Sequence, residues 1–356
     1  MNLFTKEHLT TFSENILQKL GVNGINATIV SDALIKANLE GVDSHGISRL
    51  SIYSKRLMEN RINPQPNILF NRTGPSVLMV NGDNGLGQVV SYHALIKGIE
   101  IVKESGVVAI GIKNSNHFGT ASYFCQIACE HNLAAIGFTN SPPGIAPWGG
   151  KQAFFGTNPI AFGYPTGNDT PVIIDLSTSV VARGKIILAA KQGESIPDGW
   201  AIDEDGQMTN DPNKALKGAV LPLGGPKGSA LALAVEILTG ILSGAAYGPH
   251  VQNIYTDDTD KPANVGHFFV LFDIKKFMPY EQFVQHMNNL ISEMQDIPKV
   301  PDGKDIRYPG ERRKKEWKKR SIEGIPLSTD VQKELIQLSD TLNVPFPNPI
   351  AQNTRI

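Results

Sequence analysis

The spacing of hydrophobic positions changes character along the chain. Phe12, Ile16 and Leu20 recur at helical spacing, and a second helical pattern covers about residues 26–39. A third helix is expected after Ser44, so the chain opens with helices alone. A conventional dinucleotide-binding domain opens with a strand, and this start therefore does not predict one.

Beyond residue 66, strand-like runs alternate with helical ones, which predicts an α/β sheet with helices on its faces. Two polar stretches, 195–213 and 248–266, are predicted as loops. The second carries three carboxylates without the spacing of an EF-hand, so a calcium site is not predicted there. These are Asp257, Asp258 and Asp260. The predicted strands are 76–80, 107–112, 134–139, 160–164, 172–175 and 267–273, and the later predicted helices are 121–130, 182–192, 229–242, 280–294 and 311–320.

A glycine-rich turn follows the first of these strands and opens a helix. Its spacing from Gly82 to Gly87 is G-x-x-G-x-G, whereas the Rossmann fingerprint is G-x-G-x-x-G. The next strand ends at Lys113-Asn114, where that fold would place an acidic residue. A tight turn with close helix packing explains the glycines at least as well, so this turn does not predict a Rossmann domain.

The composition of the chain argues against several classes of protein and of site. The 356 residues are 41% hydrophobic and 19% charged, as in an ordinary globular protein. A formal net charge of −1 gives no field that would favour nucleic acid or an anionic membrane. The most apolar run, 231–244, is too short to span a bilayer, which makes the cytoplasm the default location. Cys125 and Cys129 are expected to be reduced packing residues, since no zinc-site spacing accompanies them.

The strongest chemical signal is Asp43-Ser44-His45-Gly46-Ile47-Ser48-Arg49. If this segment is helical, His45 and Arg49 lie on one face, one turn apart. A guanidinium binds a carboxylate with two parallel hydrogen bonds, and an imidazole exchanges a proton near neutral pH. Either Asp43 or Ser44 is placed to orient the imidazole. The pair predicts hydride-transfer chemistry on a carbonyl next to a carboxylate.

Four later polar turns stand at strand ends or helix starts. The first, 114–120, carries His117 and the second, 155–159, carries Thr157. The third, 175–179, opens a helix whose free N–H groups could receive a phosphate. The fourth, 224–229, has a lysine but lacks Walker A spacing, which excludes a P-loop NTPase. Taken singly, each of the last three is better explained by an ordinary turn or helix cap.

Together these motifs resemble the malate/L-lactate dehydrogenase family of type 2, which also includes ureidoglycolate and sulfolactate dehydrogenases, diketogulonate reductase and piperideine-carboxylate reductase. The resemblance covers nearly the whole chain. The motifs that carry it are Ser44-His45-Gly46 with Arg49, Asn116-His117-Phe118-Gly119, Gly156-Thr157-Asn158-Pro159, Asp175-Leu176-Ser177-Thr178-Ser179, the 222–231 stretch with Lys227-Gly228, and Tyr308-Pro309-Gly310-Glu311.

The resemblance implies a homodimeric, NAD- or NADP-dependent oxidoreductase that interconverts 2-hydroxy and 2-oxo acids. It implies a non-Rossmann α/β fold, with a helical domain, 1–75 completed by 310–356, beside a mixed-sheet domain, 76–309. His45 would be the proton donor and acceptor with Ser44 beside it, and Arg49 and Thr157 would bind substrate. His117 would line the nicotinamide pocket and is the second candidate for the acid/base. The remaining cofactor-binding residues would be Asp175, Leu176, Ser177, Thr178, Ser179, Lys227, Gly228, Pro309, Gly310 and Glu311.

Three questions stay open at this level. The substrate could instead be a cyclic imino acid, in which C=N replaces C=O. Arg312 and Arg313 could meet the 2′-phosphate of NADP, but a solvated helix start explains them equally well. Leu176-Ser177-Thr178 departs from the Met-Ala/Ser-type run of many members, which would alter the pocket. A Ser/His hydrolase is the remote alternative, since no G-x-S-x-G elbow is present.

Overall fold

The computed structural model describes residues 1–254, 261–301 and 303–351. Within them, a mixed α/β arrangement is built on one large sheet and two small ones. The acidic loop residues Asp257, Asp258 and Asp260 lie outside the described residues, so the loop prediction stays a prediction there.

All six strands expected from the sequence are present in the large sheet, with small shifts at their ends. The edge strand of that sheet at residues 69–74 was not predicted, nor were the short strands at the chain termini and between residues 201 and 220. The strands are β1 (Asn2–Phe4), β2 (Leu69–Gly74), β3 (Val77–Asn81), β4 (Val107–Ser115), β5 (Leu133–Thr139), β6 (Ile160–Tyr164), β7 (Val172–Leu176), β8 (Ala201–Ile202), β9 (Met208–Thr209), β10 (Ala219–Val220), β11 (Val265–Asp273) and β12 (Ile325–Leu327).

In the part of the chain that the structure describes, the large sheet has seven strands in the order β2-β3-β4-β11-β5-β6-β7. Its one parallel pair is β3 with β4, and every other pair is antiparallel. β11 inserts between β4 and β5 although it comes more than a hundred residues later in the chain. A Rossmann sheet is mostly parallel, so the prediction of a non-Rossmann α/β fold is confirmed.

Several helices begin at residues whose side chains accept a backbone N–H, as N-caps do. Thr5, Asn23 and Ser328 cap the first, second and last helices in this way. No helix in the described ranges is long and apolar enough to cross a membrane. The helices are α1 (Lys6–Lys19), α2 (Gly24–Leu39), α3 (Leu50–Met58), α4 (Gly87–Ser105), α5 (Ala121–Glu130), α6 (Arg183–Gln192), α7 (Pro212–Lys217), α8 (Pro226–Glu236), α9 (Tyr280–Gln295), α10 (Glu311–Glu323) and α11 (Thr329–Leu342).

Two predictions of secondary structure need correction. The single helix expected over 229–242 begins earlier, at Pro226, which occupies the first turn because its missing N–H is not needed there. It then changes into a π-helix, Ile237–Leu242. The stretch 195–213, expected to be a loop, contains β8 and β9 and the start of α7.

The apolar residues form two principal cores. One packs α4 and α5 against the large sheet and contains Cys125 and Cys129, both buried and neither in a disulfide, as expected for packing residues. The other joins both ends of the chain, since Leu17 and Leu34 cluster with Leu335. This second core fits a helical unit completed by the C-terminal segment, although the domain boundaries at residues 75 and 310 stay a prediction.

Candidate active site

The segment around His45 is not the single helix that the sequence predicted. Asp43–His45 and Ile47–Arg49 are separate one-turn 3-10 helices, and Gly46 between them is extended with ψ −153°. The side chain of Asn38 lies so close to Gly46 that a Cβ there would overlap it. The expectation that His45 and Arg49 share one face of a continuous helix was therefore wrong.

Local contacts nevertheless hold the two side chains beside each other. Arg49 donates from Nε to the carbonyl oxygen of Ser44 at 2.6 Å, and Ser44 Oγ lies 2.9 Å from His45 Nδ1. The Asp43 carboxylate pairs instead with Arg320, from which it accepts a hydrogen bond at 2.7 Å. Of the two residues considered for orienting the imidazole, Ser44 is the one in contact with it.

His117 follows β4 and faces His45. Their rings stack with centroids 5.6 Å apart and planes inclined by 28°. Tyr53 Oη lies 2.6 Å from His117 Nδ1, and Gln88 Nε2 donates to that same hydroxyl at 3.0 Å. Sequence reasoning did not identify Tyr53 or Gln88 as site residues. The spacing of Tyr53, four residues after Arg49, was the available signal for the first of them.

The glycine turn 82–87 supports the His117 turn. Asn116 donates from its side-chain amide to the carbonyl oxygen of Gly85 at 2.9 Å. A Cβ on Gly87 would overlap the carbonyl oxygen of Asn116 and lie 2.6 Å from that of His117. The glycines thus allow the start of α4 to touch the backbone of this turn, which confirms the close-packing interpretation.

Burial and charge keep both imidazoles neutral at physiological pH. Desolvation, together with the nearby Arg49 cation, lowers the pKa of His45 to about 4, while the Asp175 carboxylate partly opposes that shift. The pKa of His117 also lies well below its ordinary value, first because of burial and then because of His45 and Arg49. A neutral imidazole can accept a proton at one nitrogen or donate a hydrogen bond from the other.

Asp175 is tied to α5 and to the C-terminal helix α10. Its carboxylate accepts from the backbone N–H of Ser122 at 3.1 Å and from Arg313 at 3.3 Å. Arg313 also donates to Glu40 at 3.2 Å. Arg313 therefore belongs to a partly buried ionic network beside the imidazoles, so of the two interpretations left open for it, a solvated helix start does not apply.

Hydrogen bonds also join the Thr157 turn to the segment 175–179. The carbonyl oxygen of Thr157 accepts both from the backbone N–H of Thr178 at 2.9 Å and from its hydroxyl at 3.1 Å. Neighbouring Asn158 donates to the buried Glu236 at 2.6 Å. In the same segment, Leu176 is exposed, and Ser179 Oγ donates to Ser177 Oγ at 2.9 Å.

The turn before α8 packs on the same segment. Leu223 donates its backbone N–H to the carbonyl oxygen of Thr178 at 2.9 Å. Gly228 is required by this packing, since a Cβ there would overlap the carbonyl oxygen of Leu223. Lys227 is exposed at the second position of α8. Two of the predicted cofactor-binding segments, 175–179 and 227–228, therefore meet in the structure.

The third predicted cofactor segment lies along β7. Ile173 donates its backbone N–H to the carbonyl oxygen of Pro309 at 2.9 Å, and Gly310 has a φ of +118° that suits glycine. The Glu311 carboxylate accepts from the backbone N–H of Tyr308 at 3.1 Å. A cavity of about 490 Å³ opens beside this turn, and its lining includes Glu40, Ile173, Gly310, Arg313 and Trp317.

The ionic network connects the cavity to the imidazoles. Arg313 lines the cavity and donates to Asp175, which lies near the imidazoles. From Ile173 to Asp175 a strand advances about 7 Å. A dinucleotide lying along β7 would thus span both places. Among the described residues, no group of three His, Cys, Asp or Glu side chains is arranged to hold a metal ion.

Comparisons with known proteins agree with this arrangement. The family model described as malate/L-lactate dehydrogenase matches residues 4–336. Malate dehydrogenase of Pyrococcus horikoshii is 39% identical over 95% of both chains, and ureidoglycolate dehydrogenase (NAD(+)) of Escherichia coli is 33% identical over 98% of this chain and 99% of its own. The structure of sulfolactate dehydrogenase from Methanocaldococcus jannaschii superposes with a TM-score of 0.90 at 35% identity, covering 97% of this chain and 98% of that one.

These matches extend over nearly the whole length of both partners and include the polar turns from which the resemblance was drawn. They confirm the expectation of a nicotinamide-dependent dehydrogenase of 2-hydroxy acids. The chain belongs to the malate/L-lactate dehydrogenase family.

Proposed function

We propose that this protein uses NADH or NADPH to reduce a small 2-oxo acid, and catalyses the reverse oxidation of the 2-hydroxy acid, at the cluster of His45, Arg49 and His117. The observation that carries the proposal is the stacked imidazole pair beside a guanidinium held by Ser44. This cluster combines a proton carrier with an anchor for a carboxylate, which are the two groups that the reaction requires.

Arg49 is assigned to the substrate carboxylate. Its side chain is held through Nε, which restricts the plane of the guanidinium. A planar guanidinium can pair with both oxygens of a carboxylate, and this pairing fixes the direction in which the adjacent carbonyl points. Much of the acceleration would come from that orientation, because the reacting carbon is then presented to the nicotinamide in one geometry.

His45 is assigned as the proton donor and acceptor. Its lowered pKa leaves the imidazole unprotonated at neutral pH, so that it can accept the proton that oxidation of an alcohol releases. A bound substrate carboxylate would offset the charge of Arg49, which is one cause of that low pKa. Asp175 also favours the charged imidazolium. Binding of a 2-oxo acid would therefore raise the pKa of His45 and prepare it to protonate the carbonyl oxygen during reduction.

The cofactor supplies the hydride when it is bound. Its nicotinamide end is assigned to His117 and to the segment from Asp175 to Ser179, with Lys227-Gly228 beside it. Its adenosine end is assigned to the cavity at Pro309–Glu311, where Trp317 provides an aromatic wall. Thr157 is assigned to substrate, and its backbone bonds to Thr178 support that position next to the cofactor segment.

Single substitutions test these roles. His45→Ala is expected to lower kcat steeply, because the proton carrier is lost, whereas Arg49→Ala is expected mainly to raise KM for the acid. His131→Ala, at an exposed position after α5, is the matched control and should retain wild-type kinetics. Near-wild-type kcat in His45→Ala would contradict its role and transfer that role to His117.

We further propose that the protein is a homodimer. Large apolar side chains are exposed along α8 and the π-helix that follows it, on more faces than one packed side would require. Light scattering should give twice the chain mass of 38.6 kDa, and Leu233→Asp should reduce that mass. A monomeric wild-type protein would contradict this proposal. The exposed residues are Leu231, Leu233, Ile237, Ile241 and Leu242.

A further inference from the structure

We propose that Gln88 acts as a positioning residue that sets the tautomer of His117 through Tyr53. In this arrangement Gln88 donates to the Tyr53 hydroxyl oxygen, and the hydroxyl donates its hydrogen to Nδ1 of His117. The single hydrogen of the neutral imidazole then sits on Nε2, the nitrogen on the far side of the ring from Tyr53. The consequence for catalysis rests on the proposed function of this site.

The distances support this direction of donation. The Gln88 Nε2 to Tyr53 Oη distance is 3.0 Å and the Tyr53 Oη to His117 Nδ1 distance is 2.6 Å, which is short for a bond between a hydroxyl and a nitrogen. A side-chain amide nitrogen can only donate, and a phenol carries one hydrogen. With the phenol oxygen accepting from Gln88, its hydrogen is directed toward Nδ1.

Because Gln88 and Tyr53 are buried, water does not readily replace the hydrogen bonds between them and His117. Gln88 is fully buried and Tyr53 is 2% exposed, so neither group exchanges its bond freely with bulk water. The Gln88 amide oxygen is buried with no hydrogen-bond partner in the described part of the chain, so the bond from the amide nitrogen to Tyr53 is what orients this side chain. The low pKa of His117 keeps the ring neutral, so that a single tautomer is meaningful at physiological pH.

The backbone fixes the spacing of the three groups. Gln88 is the second residue of α4, and Gly87 before it is in contact with the carbonyl oxygens of the His117 turn. Gly119 lies on the other side of this turn, where an added Cβ would be 3.7 Å from Gln88 Nε2. The glycine turn that failed as a cofactor motif thus has a function here, since it brings Gln88 to the site.

This tautomer provides a hydrogen-bond donor for the oxygen atom that reacts. With hydrogen on Nε2, His117 can donate to the carbonyl oxygen of a 2-oxo acid as negative charge develops there during hydride transfer. The other tautomer would direct a lone pair at that oxygen and oppose the charge. In this division of roles His45 exchanges the proton, and His117 stabilises the oxyanion without titrating.

The test is nitrogen NMR of protein labelled with ¹⁵N-histidine, with the His117 signals identified by their loss in His117→Asn. Protonated and unprotonated ring nitrogens resonate apart, so the tautomer is read without substrate, cofactor or turnover. The proposal expects hydrogen on Nε2 in the wild type and a mixture of tautomers in Gln88→Leu. Hydrogen on Nδ1 in the wild-type protein would overturn it. Because this reading needs no activity, it also separates failure of this inference from failure of the proposed function.

Steady-state kinetics of variants provide a second test of the proposal. Gln88→Leu should lower kcat about 10- to 100-fold, by analogy with residues that orient metal-binding histidines, with little change in KM for the cofactor. The double variant Gln88→Leu/Tyr53→Phe should be no worse than Tyr53→Phe alone, because both act through one chain of bonds. Additive losses would refute the relay. Ser91→Ala, one turn along α4, is the matched control and should leave kcat unchanged.

Discussion

His267 offers a sharp test of the physical description of the site, because it lies in the central strand β11 and has no exposed surface. Thr139 Oγ1 lies 2.7 Å from its Nδ1 and Ser115 Oγ lies 2.9 Å from its Nε2. Its ring stacks on Phe118 with centroids 4.4 Å apart and planes 4° apart. Ser115 and Phe118 flank the turn that carries His117, so this ring supports the site from within the sheet.

Burial lowers the pKa of His267 from 6.5 to about 3. Between those two values the unfolded chain binds a proton that the native state does not bind, so the free energy of unfolding falls as pH falls. Each pH unit in that window costs about 1.4 kcal/mol. Going from about pH 6.5 to about pH 4.5, this one residue should therefore remove on the order of 2–3 kcal/mol of stability.

The assay is urea unfolding of the wild type and of His267→Gln at about pH 7 and about pH 4.5. The variant should be less stable at neutral pH, but its loss on acidification should be smaller than that of the wild type by about 2 kcal/mol, since the titrating group is gone. Protonation of carboxylates occurs in both proteins and cancels in the comparison. His131→Gln, at an exposed position, is the control. Equal acid losses in the wild type and His267→Gln would refute the reasoning.

Three further predictions follow from contacts near the site. Arg49→Met should move the acid limb of the kcat/KM profile for hydroxy-acid oxidation upward from about pH 4, because removal of the cation raises the pKa of His45; an unmoved limb would contradict the coupling. Arg313→Met should lower the free energy of unfolding by about 3 kcal/mol in urea melts, since buried carboxylates lose their partner, whereas the same change at exposed Arg312 should have little effect. Gly87→Ala should cost more than about 2 kcal/mol and reduce kcat because its Cβ meets the His117 turn, while Gly184→Ala, where the space is open, should be tolerated.

The sequence was sufficient to predict six of the seven strands of the large sheet, because each of the six is a short apolar run bounded by polar turns. The exposed edge strand β2 lacks that pattern and was missed. It also indicated His45, Arg49 and His117, since chemically active side chains stood together in turns at strand or helix ends. The break at Gly46 was not predictable, because it depends on the Asn38 side chain packing against the following turn. Hydrophobic periodicity alone predicts a continuous helix and gives no information about such a contact.

Residues that act on the site from a distance were beyond a reading of local patterns. Gln88 lies in a helix start that resembled a poor cofactor motif, and Arg313 lies in a charged run typical of a solvated surface. Their roles arise from contacts with Tyr53 and Asp175, which are separated from them by 35 and 138 positions in the chain. Such long-range pairings follow from the strand order and from the return of the C-terminal helix.

The most direct measurement of the central claim is oxidation of NADH or NADPH by the wild-type protein, followed by absorbance. The panel should contain 2-oxo acids, the matching amides in which the carboxylate is neutral, and a cyclic imino acid. The account predicts that absorbance falls with at least one 2-oxo acid and not with its amide, because Arg49 must pair with a carboxylate. Absence of oxidation with every acid and both cofactors, or equal rates with acid and amide, would contradict it.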